Sequence, residues 1–322
     1  MKLGANSLKR LIKGACYFEI DSGFLTPYRF SQKQLEMARA DTFNEIWRNR
    51  MVFSGGIRLE MKTDAENISF TFKAYKGDCA FGRGSSVDTW VDGTLFSVTP
   101  INDFSGDVSI SLPSGEKTVT IYLPNYSRFS IKNFTLDGSY KSVKDKGQRL
   151  LVIGDSITQG YGSAFASGSY FNELQRRTGY NMLNQGIGGL PFASEQLMYV
   201  DGFAPDKIIV FLGTNWYNVS SYDYEKEASD FYDKLLLMYP DTPILAISPV
   251  WRNEDGLDRE RFDWCREIVK RECKKRARIN FLDGYSLIPC IDDCFCDGIH
   301  PTEYGTLMLT NNLLTEMKKI KF

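Results

Sequence analysis

The chain has a single histidine in 322 residues, and none of its apolar runs approaches the ~18 residues that span a bilayer. Charge of one sign is also missing. Thirty-nine basic residues against 40 acidic ones leave a net charge of -1. No long single-sign block stands out, so neither nucleic acid nor an anionic membrane surface is expected as a partner. The densest basic stretch, KRECKKRAR (270–278), reads as a solvated helix face. Cysteine is sparse and odd in number: seven in a chain this long argue against a disulfide framework and for a reducing compartment. The one cluster, CIDDCFCDG, holds Cys290, Cys294 and Cys296 at a C-x3-C-x-C spacing with no fourth ligand in a paired pattern. It reads as reduced thiols, not as a zinc site. The start, MKLGANSLKRLIKGACYF, has basic residues but no continuous apolar core of a secretory signal, so a cytoplasmic location is the expectation.

What is present is enough for a substantial core: 43% of residues are hydrophobic and 14% aromatic, in a chain long enough for two domains. The halves differ in rhythm. Between residues 52 and 136 apolar side chains alternate, at Ile57, Leu59, Met61; Ile68, Phe70, Phe72; Val87, Val91; Val108, Ile110, Leu112; and Val119, Ile121, Leu123. Period two predicts half-buried strands, and the turn signals VDGT (91–94) and PSGE (113–116) separate them, so residues 1–140 are expected to form an antiparallel β-sandwich of jelly-roll type. The stretch QKQLEMARADTF (32–43) fits a helix or an arm. A polar segment at 141–147 fits a linker. From 148 to 322 short, nearly continuous apolar runs alternate with helical segments, which predicts a three-layer α/β/α domain around a parallel sheet. Strands are expected near 150–153, 181–184, 207–212, 244–248 and 279–282.

In such sheets ligands bind beyond the carboxyl ends of the strands. LVIGDSITQG (151–160) places Ser156 just past the end of the first strand, after a turn at Gly154. NQGIGGL brings Gly188 and Gly189 to the end of the second, FLGTNW brings Asn215 to the end of the third, and CDGIHP sets Asp297 three residues before His300. Pro301 suits the first position of the last helix. A nucleophile, a base that titrates near neutrality, a carboxylate to orient it and donors for an oxyanion are the parts that acyl transfer needs.

Taken in order, GDSIT, Gly189 in NQGIGG, GTN and DGIH resemble the four sequence blocks of the SGNH (GDSL) hydrolase superfamily, over residues 148–322. The resemblance implies a flavodoxin-like sheet. It also implies Ser156 as nucleophile, Asp297 and His300 as the rest of a triad, and an oxyanion hole from the Ser156 and Gly189 N–H groups and the Asn215 amide. Gly188 competes with Gly189 for its place, and Ile157 stands where the superfamily has leucine. A β-sandwich ahead of such a domain is similar to two-domain carbohydrate esterases, so the expected activity is cofactor- and metal-free hydrolysis of small O-acyl esters, acetyl esters of sugars foremost. The expected partner is a small-molecule or oligosaccharide ester. One alternative is a lipase- or thioesterase-type acyl hydrolase. Another, of a different class, is a catalytically silent carbohydrate-binding protein that uses Trp90, Tyr122 and Tyr126.

Overall fold

The computed structural model describes residues 1–39, 44–145 and 147–322. Two antiparallel sheets make up most of the N-terminal half. One is ordered Ile12–Lys13, Arg58–Thr63, Lys117–Tyr122, Ser86–Val91 and Thr94–Pro100. The other is ordered Tyr17–Asp21, Phe24–Tyr28, Arg128–Leu136, Asn67–Tyr75 and Ser105–Ser111. The period-two side chains of both sheets meet in one core, with Leu59, Met61, Val119 and Ile121 from the first and Phe70, Phe72, Phe129 and Ile131 from the second. The VDGT hairpin closes as expected: Val91 pairs with Thr94, and Asp92 and Gly93 take φ of 48° and 80°, the left-handed pair a two-residue turn demands.

The segment expected to be a linker begins inside the sandwich. Tyr140–Ser142 pairs with Arg58–Thr63, with Lys141 opposite Lys62 and Ser142 opposite Met61, so these two residues are sheet and not tether. Lys146 of that stretch lies outside the described residues. Of QKQLEMARADTF, Gln32–Met37 is a helix with a Ser31–Gln34 capping box, and residues 40–43 lie outside the described residues.

The second half carries a five-stranded parallel sheet ordered Asn181–Gly186, Arg149–Gly154, Lys207–Phe211, Ile244–Ile247 and Ile279–Leu282, the 2-1-3-4-5 order of flavodoxin-like folds. Helices Tyr170–Thr178 and Glu303–Lys319 cover one face through Phe171, Leu174, Leu309 and Leu313. Helices Tyr224–Met238 and Arg259–Lys274 cover part of the other through Phe231, Leu235, Phe262 and Val269. Between strands Asn181–Gly186 and Lys207–Phe211 the chain forms only a 3₁₀ turn at Ser194–Gln196. The apolar face left there is filled from the N-terminal half: Tyr28, Phe30, Leu35, Ala38, Trp47 and Met51 join the same core as Leu151, Leu183 and Ile208. The N-terminal half and the α/β domain therefore share a hydrophobic core, distinct from the one between the two sandwich sheets.

Two further expectations are corrected. Pro301 is not the first helical residue. The last helix starts at Glu303 behind a Thr302 cap, while Pro301 bridges to Phe295. The basic stretch 270–278 is more than a solvated face, because Glu272 is buried beneath it and takes ion pairs from Lys275 (2.6 Å) and Arg276 (2.9 Å), which also reaches Asp233. No helix among the described residues is long and apolar enough to cross a membrane.

Candidate active site

Strand Arg149–Gly154 ends against a close-packed turn. A Cβ on Gly154 would lie 2.0 Å from the Thr158 hydroxyl, so steric room, more than backbone freedom, demands glycine there. Asp155 caps the one-turn helix Ser156–Gln159 by accepting from the Ile157 N–H at 3.0 Å. Its carboxyl is almost fully buried, and burial pushes it up to about 7, against the lowering influence of the Ile157 N–H and of His300 and Arg252 nearby. Ser156 sits at the helix start with its hydroxyl 2.9 Å from His300 Nε2. His300 Nδ1 lies 2.7 Å from Asp297 Oδ2, while Asp297 Oδ1 accepts from the backbone N–H groups of His300 (2.8 Å) and Ile299 (3.0 Å). Partial burial alone would raise the Asp297 carboxyl. The His300 side chain and the backbone donors outweigh it and hold the group at about 2. The lone histidine, the serine and the aspartate of the sequence motifs therefore meet in one hydrogen-bonded line.

The glycine and asparagine blocks reach the same rim. Gly188 donates its N–H to Gln159 Oε1 at 2.7 Å, whereas the Gly189 N–H has no partner among the described residues, and Gly189 takes the φ of +81° that glycine favours. Of the two competing glycines, Gly189 is thus the one with a donor to spare. Asn215 spends one amide hydrogen on the Leu190 carbonyl (3.2 Å) and keeps a second. Trp216, next in sequence, is held at a left-handed φ of 59°, a strained conformation for a bulky residue, with its ring 5.4 Å from that of Trp47.

Several residues around the site carry no sequence signal. Arg252 donates to the Thr214 carbonyl at 2.6 Å and pairs with Glu254, while Asn253 donates its N–H to the Gly298 carbonyl at 2.9 Å. One short loop thus braces both the GTN and the DGIH segments. Gly162 lets its loop pass close to the histidine, since a Cβ would fall 2.8 Å from His300 Cβ. Beside His300 opens a cleft of about 400 Å³ lined by Arg50, Asp78, Phe81 and Arg83 of the N-terminal half together with Tyr161 and His300. Arg50 and Asp78 are ion-paired at 2.6 Å, and Arg83 reaches Glu303 at 3.3 Å. These contacts depend on tertiary approach, which spacing along a sequence does not reveal.

The three aromatics of the binding alternative are not a platform. Trp90 Nε1 donates to Ser167 Oγ at 2.9 Å under the Arg176 guanidinium, Tyr122 is buried, and Tyr126 donates its hydroxyl to the Gly160 carbonyl at 2.6 Å. All three are spent where the halves join. Among the described residues no group of three or more His, Cys, Asp or Glu is placed to hold a metal ion, and of the cysteine cluster Cys294 is buried while Cys290 and Cys296 are exposed.

Comparison with known proteins finds likenesses in sequence and in fold. Residues 152–306 match the GDSL-like Lipase/Acylhydrolase family. No curated protein sequence matches the chain. Among solved structures, a putative GDSL-like lipase from Bacteroides ovatus superposes with a TM-score of 0.80 at 20% identity, covering 99% of this chain and 97% of its own. The salicylyl-acyltransferase SsfX3 from a tetracycline biosynthetic pathway gives 0.78 at 20% identity, covering 96% and 94%. A family two carbohydrate esterase from Clostridium thermocellum, solved with cellohexaose, gives 0.68 at 16% identity, covering 96% and 98%. At these identities the likeness is one of fold, and it extends across both halves of the chain.

Proposed function

We propose, from the match of residues 152–306 to the GDSL-like Lipase/Acylhydrolase family, that the chain is a serine esterase acting through an acyl-enzyme on small O-acyl groups, acetyl esters of carbohydrates in particular. The observation that carries the reading is the line Ser156 Oγ–His300 Nε2–Asp297, at 2.9 and 2.7 Å. With Asp297 ionised, its carboxylate accepts from the Nδ1–H of a neutral imidazole, which leaves Nε2 to accept the Ser156 proton. The serine oxygen attacks the acyl carbonyl, and the developing oxyanion accepts from the Ser156 and Gly189 N–H groups and the remaining amide hydrogen of Asn215. His300 then returns the proton to the departing alkoxide, and water repeats the sequence on the acyl-enzyme.

Because the imidazole must reach the leaving oxygen, the leaving alcohol belongs on the His300 side, in the cleft walled by Arg50, Asp78 and Arg83. The Arg50, Asp78 and Arg83 side chains offer polar groups to a polyhydroxylated alcohol beside the apolar faces of Phe81, Tyr126 and Tyr161, and the size of the cleft falls in the range of small-molecule sites. Structural neighbours that include carbohydrate esterases support that choice. The acyltransferase among them favours a second outcome for the same intermediate, capture by an alcohol in the cleft. A panel of acetylated sugars against aryl esters of graded chain length tests the assignment. Preference for acetyl sugars, falling steeply with longer acyl chains, is expected, whereas preference for long chains would move the chain to the lipase class. Product analysis with added alcohols separates hydrolysis from transfer.

A further inference from the structure

Arg29 comes from the N-terminal half and is fully buried. Its Nε donates to the Phe53 carbonyl at 2.6 Å. Nη1 donates to the carbonyls of Asn184 (2.9 Å) and Gly186 (2.9 Å) and to Asn184 Oδ1 (3.2 Å), and Nη2 donates to the Arg50 carbonyl (3.1 Å). Every acceptor is a neutral carbonyl or amide oxygen. Among the described residues no carboxylate pairs with it. Burial pushes the guanidinium down to about 9, so the cation is held at a desolvation cost.

Its position supplies a reason. Asn184 and Gly186 end the strand that leads into the glycine turn. Along that turn the peptide groups are pinned in succession: the Gly186 carbonyl by Arg29, the Gly186 N–H by Asn184 Oδ1 (2.8 Å), the Ile187 N–H by the Gly154 carbonyl (3.0 Å), the Gly188 N–H by Gln159 and the Gly189 carbonyl by Trp47 Nε1 (3.3 Å). The Gly189 N–H is left over. The Arg50 carbonyl that Arg29 grips belongs to the helix Glu45–Met51, which carries Trp47, and a Cβ on Gly188 would lie 2.9 Å from Arg50 Nη1. One guanidinium therefore fixes the turn from both sides.

We propose that Arg29 is a positioning residue of the oxyanion hole: it locks the Gly186–Gly189 turn so that the Gly189 N–H points at the oxyanion. The inference rests on the esterase reading above. It makes the N-terminal half a working part of the catalytic site.

The test compares Arg29→Lys, which keeps the charge and loses the fan of hydrogen bonds, and Arg29→Met, which loses both, with Asp88→Ala. Asp88 is a buried interface residue that accepts from the Ser167 N–H and lies away from the glycine turn. Each is assayed on 4-nitrophenyl acetate per folded molecule, and for inhibition by phenylboronic acid, whose serine adduct is tetrahedral and anionic. For Arg29→Met, kcat falls on the order of 10²- to 10³-fold, as for loss of an oxyanion donor. For Arg29→Lys it falls by roughly a tenth of that, with KM within threefold and boronate affinity falling in parallel. Asp88→Ala loses stability but keeps kcat within threefold. If Arg29→Met does not fold, Arg29→Lys decides alone. The proposal is overturned if Arg29→Lys retains kcat and boronate affinity, or if Asp88→Ala loses both to the same degree. Ser156→Ala serves as the separate control: if it still turns over the ester, the esterase reading fails and this inference with it, whatever the Arg29 variants do.

Discussion

Asp155 offers a stability prediction with a definite sign. Replacing it by Asn keeps an oxygen to cap the Ile157 N–H and removes the ionisation. In the folded protein burial raises the carboxyl from its ordinary 3.8 to about 7. A raised carboxyl stabilises the fold in its protonated state, so its contribution is fully present below about pH 4 and is lost as pH rises through about 7. Three decades of acidity correspond to about 4 kcal/mol, a large fraction of a typical domain's stability. Any packing or hydrogen-bonding cost of the new amide is independent of pH and shifts the whole curve without bending it. The other titrating groups are common to both proteins and largely cancel in the difference. Urea unfolding of the parent and of Asp155→Asn at pH 4, 5.5, 7 and 8.5 should therefore show the variant gaining on the parent by about 4 kcal/mol across that span. A difference that stays flat with pH would mean that Asp155 ionises in its ordinary range, and would refute the reasoning.

Asn215→Ala should lower kcat on the order of 10²- to 10³-fold, and a change confined to KM would make Asn215 a binding group only. Asp297→Asn should cost activity on the order of 10⁴-fold and lower thermal stability near neutral pH only modestly, since the carboxylate is half-exposed and solvent screens its pairing. The stability Asp297 does add is present above about pH 4 and lost as pH falls toward about 2, so an acid unfolding midpoint that does not move in the variant would contradict the assignment. Gly162→Ala forces a Cβ to 2.8 Å from His300 Cβ at a φ of +89°, and should lower both melting temperature and kcat; an unaffected kcat would mean that the loop does not position the histidine. A fragment of residues 148–322 should be insoluble or molten, because Phe30, Leu35, Trp47 and Met51 of the N-terminal half complete its core; a cooperative near-ultraviolet melt of that fragment would refute the shared core.

The strands whose alternation is unbroken were legible, as were the three blocks at the ends of parallel strands and the D-x-x-H block before the last helix. Arg128–Leu136 was not read, and a bulge explains why: the register shifts between Lys132 and Thr135 around Asn133 at φ +56°. The buried set therefore changes parity from Phe129 and Ile131 to Phe134 and Leu136, and period two disappears. The first fifty residues were obscure because their strands and helices are short and half-buried and take their order from packing on the other half of the chain. Ser156 and Asn215 stood out because they follow strand ends, and Asp297 and His300 because the chain's one histidine stands in a D-x-x-H spacing. Arg29, Trp47 and Arg252 did not, because a lone arginine or tryptophan acquires a role only through what tertiary approach brings to it. The competition between Gly188 and Gly189 was open in sequence and turns on one hydrogen bond, which the Gly188 N–H donates to Gln159 Oε1.

The central claim, that Ser156 is the nucleophile of a working triad, is tested most directly by labelling with a fluorophosphonate and locating the adduct by peptide mass spectrometry. The account predicts one adduct per chain, on Ser156, formed in step with loss of esterase activity, and absent from a folded Ser156→Ala protein and from protein whose sole histidine has first been carbethoxylated. An adduct on another residue, or full activity in a protein labelled at Ser156, would contradict it.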